Sequence, residues 1–383
     1  MGFRFLVLRE CRRILRRSPA TAAILFLVPL GYLLLFGDVY RAGSLAGIPL
    51  VILDEDATAP SRSLIRVFED SEKFRLVAQA TGPEEVDHLL REGEAKVALV
   101  IPRDFAKRMK QGLSTPLLLE ADSSNLIHAN VALKSGREIV QNYSAVVGQR
   151  LGESVGRPPL ESLNRGFPVR MRLRVLGNPT LSYKNFILSG IGVNGLQLAL
   201  FITACVALSD ERFHRPVWRR ASAGTIVAAK LLPTWLLGVF SLGGYVLAAG
   251  LLFRLPYQGR WGDLFLLGGA FCFAVTALGL FFSALLPSKL LALQLPILYV
   301  MPGFLCCGYS WPLLAMTPGV CLLAGTFPLS YVAVSLRDLT LTGYAPELWG
   351  HVRSLLALGG SFFVAACLGV AWRKRLLPPG ASR

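Results

Sequence analysis

The strongest constraint on this chain is a set of long apolar runs whose ionised residues are confined almost wholly to the seams between them. Phe186–Leu208, Ile226–Phe253, Leu264–Leu286, Leu290–Cys307 and Leu355–Trp372 are each about 18 residues or longer, the length at which a helix crosses a hydrocarbon core of roughly 30 Å. A surface helix of a water-soluble domain needs a polar face. These runs are apolar all round, so the stretch from Leu181 to Trp372 reads as bilayer-embedded.

Ahead of it, Met1–Pro19 places Phe3, Leu6, Val7, Cys11, Ile14 and Leu15 at helical spacing, with Arg9, Arg12, Arg13 and Arg16 mostly opposite. That pattern predicts a basic amphipathic helix lying in the headgroup layer, its arginines toward anionic lipid. Ala20–Phe36 is fuller than a signal-peptide apolar core and no small-x-small cleavage site follows it, so it is expected to be a retained first span.

Asp38 to about Asn178 is a different kind of sequence. Ile48–Leu53, Phe74–Gln79, Lys96–Ile101 and Pro116–Glu120 read as short strands. Ser61–Phe74, Pro83–Glu94, Pro102–Gln111 and Asn125–Leu151 read as helices between and after them, with Ser61 as an N-cap. Such alternation predicts a small α/β domain. It carries 19 Lys/Arg and 18 Asp/Glu, whereas the rest of the chain carries 21 and 6. The basic excess therefore flanks apolar runs. It is the positive-inside signal rather than a nucleic-acid-binding face.

With six spans, the basic clusters Arg9–Arg17, Arg212–Arg220 and Arg373–Arg375 fall on one side. The expected fold is an α-helical polytopic membrane protein with six transmembrane helices and an inserted extracytoplasmic α/β domain. Its expected divisions are an interfacial helix (1–19), the first span (20–37), the α/β domain (38–180), a five-helix membrane domain (181–376) and a tail (377–383). Both termini would be cytoplasmic. Within the membrane domain, 308–341 is broken by Pro312, Pro318, Gly319, Gly325 and Pro328, which suggests short re-entrant helices.

The chemistry is defined largely by omission. There is no G-x-x-x-x-G-K-[ST] phosphate loop, no H-E-x-x-H and no G-x-S-x-G. Cys11, Cys205, Cys272, Cys306, Cys307, Cys321 and Cys367 show neither zinc-ligand spacing nor a disulfide framework. Ion-driven carriers place ionisable groups mid-span; here Lys184, Asp210, Lys230, Asp263 and Lys289 sit at span ends. A permease powered from outside the chain has this character. A membrane-anchored extracytoplasmic receptor or assembly scaffold is the alternative, though five spans after the insert exceed what an anchor needs. An integral-membrane enzyme would require a convergent catalytic set.

Three segments carry a resemblance. One is the layout itself. Another is Val51-Ile52-Leu53-Asp54-Glu55-Asp56…Ser61, followed by Ile101-Pro102-Arg103-Asp104-Phe105 and by Asn178-Pro179 with Ser182-Tyr183. The third is Gly308…Pro312…Met316-Thr317-Pro318…Pro328-Leu329-Ser330-Tyr331…Arg337-Asp338. Together they resemble permease subunits of ABC-2 type exporters of the efflux branch, which carry a large domain between the first two spans.

The resemblance implies a bacterial inner-membrane protein that exports a hydrophobic or amphipathic substrate. ATP and Mg would be bound by a separate ATP-binding-cassette ATPase subunit, with no cofactor in this chain. A second permease chain, identical or paralogous, membrane lipid and a periplasmic adaptor are the further partners implied, and nucleic acid is not.

Coupling to the ATPase would fall on the loop 209–225, through Asp210, Glu211, Arg212, Phe213 and Trp218. That loop departs from the family's E-R-E-x-G-T pattern, because Pro216 intervenes and Gly224-Thr225 lies too far downstream. Asn194, Gln197, Thr203 and Gln294 are candidates for the substrate pathway, with helix–helix hydrogen bonding as the competing role. Gly308, Pro312, Pro318, Pro328 and Tyr331 would build the outer gate.

Overall fold

The computed structural model describes residues 2–17, 19–42, 45–154, 156, 158, 177–179, 182–209, 221–286 and 288–375. They form two compact units, Ser44–Arg174 and the combination of Met1–Gly43 with Val175–Arg383. Most of the chain is helical, and the sheet is small.

The smaller unit alternates strand and helix. Its strands are β1 (Ile48–Asp54), β2 (Phe74–Ala80), β3 (Val97–Ile101) and β4 (Leu118–Ala121), in spatial order β2-β1-β3-β4. β1 pairs in parallel with β2 and β3, while β4 runs antiparallel to β3. Because side chains alternate across a strand, β1 feeds two cores. Ile48, Leu50 and Ile52 join Val97, Leu99 and Ile101 under Leu64, Ile65 and Phe68. Val51 and Leu53 join Ala98 and Val86 on the opposite face. Burial on both faces is why β1 and β3 read as continuous apolar runs.

The helices of this unit are α3 (Ala59–Glu69), α4 (Pro83–Arg91), α5 (Phe105–Lys110) and α6 (Leu126–Ser154). Two local expectations need correction. Thr58 caps α3, whereas Ser61 sits in the first turn and returns the bond in a capping box. Phe74, grouped with that helix by its spacing, begins β2, since α3 stops at Glu69.

The larger unit opens with α1 (Phe3–Arg12), continued by a π-helical turn over Arg13–Arg17, then α2 (Pro19–Val39). After the insert come α7 (Tyr183–Ser209), α8 (Ala223–Phe253), α9 (Trp261–Leu285), α10 (Lys289–Cys306), α11 (Pro318–Ala324), α12 (Pro328–Thr342) and α13 (Leu348–Arg375). Among the described residues, five helices are long and apolar enough to cross a membrane, and up to six if the bent pair α11–α12, broken by 84°, counts as one. α10, with 18 residues, would reach about 27 Å at the usual rise.

α7 is the hub, buried along nearly its whole length from Leu188. Around it the bundle is tied by side chain to backbone bonds. Trp235 Nε1 donates to the Gly269 carbonyl (2.8 Å) and Tyr245 to the Leu188 carbonyl (2.6 Å). Pro29 interrupts α2, and lacking an N–H it leaves the Leu25 carbonyl without its usual helical donor. Ser241 Oγ of α8 donates to that carbonyl at 2.6 Å. Ser241→Ala is expected to orphan it at a cost of about 1–3 kcal/mol, read as a lowered Tm in detergent, while Ser241→Thr keeps the donor and most of the stability.

Candidate coupling and transport elements

One end of the larger unit gathers Leu6 of α1, Ala204 and Leu208 of α7, Ile226 and Leu231 of α8, Ala277 and Ala284 of α9, and Ala366 and Val370 of α13 into a single buried cluster. The three terminal turns and one initial turn that meet there follow from antiparallel packing of successive helices. Basic side chains from the last turn of α13 close it. Arg373 donates to the carbonyls of Ser283 and Leu286 at the end of α9, and Lys374 to that of Ala221 just before α8. Cations satisfying orphan C-terminal carbonyls are a normal helix-end device.

The predicted coupling residues Asp210, Glu211, Arg212, Phe213 and Trp218 lie outside the described residues. Their flanks do not. α7 runs to Ser209, and Ser222 caps α8 by accepting from Thr225 N at 3.1 Å. Thr225, too distant for the family's loop pattern, therefore serves in a cap.

The same end holds a feature that sequence reasoning missed. Glu10 of α1 faces Lys230 of α8, with Oε2 and Nζ 3.1 Å apart and side chains only 2% and 4% exposed. Arg13 Nη2 lies 2.5 Å from the other carboxylate oxygen. Lys230, expected at a span end, is buried in the eighth position of α8. The α1 face expected to meet lipid is also partly protein-facing, since Leu6 and Ile14 are buried with Glu10 while Phe5 and Leu8 are exposed. Burial pushes the Glu10 carboxyl up, but Lys230 and Arg13 outweigh it and hold it below the ordinary value of 4.5. The available signal was Glu10 itself, the one acidic residue among the six arginines of residues 1–19.

The pathway candidates separate. Asn194, Gln197 and Thr203 are buried on α7, whereas Gln294 on α10 is exposed. Among the described residues, Asn194 Oδ1, both polar atoms of Gln197, Thr203 Oγ1 and Thr276 Oγ1 of α9 have no hydrogen-bond partner.

The gate candidates lie along one continuous segment. Gly308, with φ +78°, ends α10; Pro312 precedes a short 3-10 turn at Leu313–Ala315; Pro318 and Pro328 start α11 and α12. Tyr331 donates to the Gly325 carbonyl at 2.9 Å and sets its ring edge-on to His351. Beside them, Tyr309 stacks on Phe186 at 5.0 Å, its hydroxyl 3.1 Å from Ser189 Oγ. Arg337 lies 5.9 Å from both ring centroids and pairs with Asp338 at 3.2 Å. Phe327 packs on Tyr299 of α10 at 4.8 Å.

In the smaller unit the two sequence marks interlock. Asp54 accepts from Ser61 Oγ at 2.6 Å and from the amides of Asp56 and Ala57. Asp56 Oδ2 accepts from Thr58 Oγ1 at 2.5 Å and from Ala106 N at 3.1 Å, tying the end of β1 to the start of α5. The marks thus form a structural knot. Asp56→Ala is expected to cost about 1–3 kcal/mol, seen in the full chain as faster hydrogen exchange of peptides containing Ala106.

Comparison with known proteins settles the class. A profile described as "ABC-2 family transporter protein" matches residues 20–371. The chain belongs to the ABC-2 transporter family.

Among its relatives is "Probable multidrug ABC transporter permease YbhR" of Escherichia coli (strain K12), 24% identical over 312 residues, covering 80% of this chain and 81% of that one. "Probable multidrug ABC transporter permease YbhS" of the same organism is 21% identical over 386 residues, with 97% and 96% covered. "Inner membrane transport permease YhhJ", also of that organism, is 25% identical over 346 residues, with 85% and 86% covered. This ABC-2 protein is accordingly a membrane permease. Its match begins at residue 20, after α1.

Proposed function

We propose that this permease exports a hydrophobic or amphipathic substrate, driven by ATP hydrolysed in a separate ATP-binding-cassette subunit. The observation that carries this reading is the family match along residues 20–371. The names of its relatives favour drug-like cargo. The absence of a phosphate loop from the sequence fits an ATPase in another chain.

Six spans are proposed, namely α2, α7, α8, α9, α10 and α13, with α11–α12 re-entrant. The basis is parity. α9 and α13 bring their last turns to the same buried cluster, so the chain must leave that end and return between them. α10 supplies the outward crossing, since Tyr309 beyond its end lies against Phe186 at the start of α7. α12 finishes near the turn after α8, with Gln258 N donating to the Thr340 carbonyl.

On positive-inside grounds, the end with Arg13, Arg373 and Lys374 is assigned to the cytoplasm. Both termini would then lie inside and the α/β unit outside, where it would be free to meet a periplasmic adaptor. Two permease chains would enclose the pathway over two ATPase subunits that bind ATP and Mg. ATPase closure would press on 210–220 and tilt the spans as rigid bodies. Asn194, Gln197, Thr203 and Gln294 would face the pathway in one of the two arrangements, and Gly308–Tyr331 would gate its outer mouth.

The test is hydrolysis. The permease is purified with its candidate ATPase, reconstituted in lipid and compared with the ATPase alone. Co-purification with altered hydrolysis, abolished by Asp210→Ala/Glu211→Ala, is the expected result. Failure to associate with any such ATPase would overturn the reading.

A further inference from the structure

The Glu10–Lys230 pair has no role in the reading above, yet it is a costly thing to build. Both side chains are almost wholly withdrawn from solvent, with Arg13 on the second carboxylate oxygen. Removing two ions from water is costly, and well-packed apolar residues of similar volume hold such an interface equally well or better. A charged contact differs from an apolar one in what happens when it separates. Exposed apolar surface is penalised, whereas parted charges regain hydration. A buried ion pair therefore makes a contact that is orientationally specific when closed and comparatively tolerant of opening.

Two breaks in helical regularity flank the pair. On the α1 side, Arg13–Arg17 forms a π-helical turn before α2, a departure often found at functional positions. On the α8 side, Pro233 lies three residues beyond Lys230 and removes the donor to the Ala229 carbonyl. Each helix can thus pivot beside the contact. The contact also adjoins the cluster from which α7 ends and α8 begins, the two flanks of 210–220.

We propose that Glu10 and Lys230 form a latch between α1 and α8 that opens and recloses in each transport cycle, making them positioning residues for the coupling of hydrolysis to transport. The proposal rests on the exporter reading and deepens it. The pair is closed in this structure. Movement delivered at the α7–α8 loop shifts the first turns of α8, parts Lys230 from Glu10, and frees α1 to swing about Arg13–Arg17.

The deciding variant is Glu10→Leu/Lys230→Leu, which keeps the packing and removes the ionic contact. It is reconstituted with the candidate ATPase, and the permease-dependent change in hydrolysis is measured beside Tm. A latch predicts an unchanged or raised Tm with a roughly tenfold smaller effect on hydrolysis. An unchanged effect at unchanged Tm would overturn the latch and leave a static clamp. If the double variant does not reach a monodisperse folded form, Glu10→Asp carries the test, because it keeps both charges while lengthening their contact. The same drop then supports the latch, and an unchanged effect overturns it. Wild-type permease that leaves hydrolysis unaltered would overturn the exporter reading instead, which distinguishes the two failures.

Discussion

Lys230→Met is expected to destabilise the membrane domain by about 2–3 kcal/mol, because it removes one of the two cations that hold the buried Glu10 carboxylate and leaves Arg13 beside it. The measurement is Tm in detergent, with Glu10→Leu/Lys230→Met expected to recover the loss. Recovery separates the electrostatic cost of the lost cation from the loss of the lysine's packing. A single variant as stable as wild type would mean that Arg13, or water, satisfies Glu10 without the lysine.

The pH dependence follows from the same geometry. The Glu10 carboxyl is held below its ordinary 4.5 in the folded protein. A depressed folded value means that its contribution is complete above 4.5 and is lost as pH falls through the lower, folded value. The Tm difference between wild type and Glu10→Gln should therefore be constant between about pH 6 and about pH 8, and shrink only in acid. A difference that disappeared between those limits would place the carboxyl in a different environment from the one described.

Gly192→Val is the second large effect. A Cβ at Gly192 would stand 2.0 Å from the Tyr245 ring, well inside any real contact. Tyr245 is buried and its hydroxyl is committed to the Leu188 carbonyl at 2.6 Å, so the ring cannot retreat without breaking that bond. Overpacking of this kind costs about 1–3 kcal/mol, and the lost bond adds about 1 kcal/mol. Tm should fall accordingly, and Tyr245→Leu in the same chain should restore part of the loss by making room. If Gly192→Val alone leaves Tm unchanged, α7 and α8 do not approach as closely as described. Tyr245→Phe, which removes only the hydroxyl, is the milder control.

The apolar runs were readable as helices because burial all round leaves no polar periodicity to confuse them. Their ends moved by a few residues, as in α8, which begins at Ala223 rather than Ile226. The smaller unit was similarly legible. β1 and β3 announce themselves by apolar residues on both faces, and the expected strands lie within a few residues of those found. Ser61 was assigned the wrong capping role because Thr58 and Ser61 both carry hydroxyls at suitable spacing. Only the backbone dihedral of Thr58, extended at ψ 174°, decides which one precedes the helix.

The candidate functional residues were less legible. Asp54, Asp56 and Ser61 stood out as a mark, but composition cannot tell a binding motif from a knot. The distances show the knot: their side-chain oxygens are taken up by Thr58, Ala106 and one another. Asn194, Gln197 and Gln294 look alike along the chain, yet the first two are enclosed and the third is not. A helix in a bundle shows different faces to different neighbours, and no local pattern says which face is inward when all of them are apolar.

The amino-acid sequence alone was enough to determine the class of solvent, the presence of an α/β insert between the first two apolar runs, and the resemblance that the family match then established. These depend on local hydropathy, strand and helix periodicity and short marks, all of which act over a few residues. Tertiary structure alone decided that Glu10 would meet Lys230, 220 positions away, that Ser241 would serve the carbonyl freed by Pro29, and that three neighbouring polar groups on α7 would be enclosed. Each is a pairing across helices. Its energy depends on crossing geometry and on what excludes water, and neither is written in any one segment.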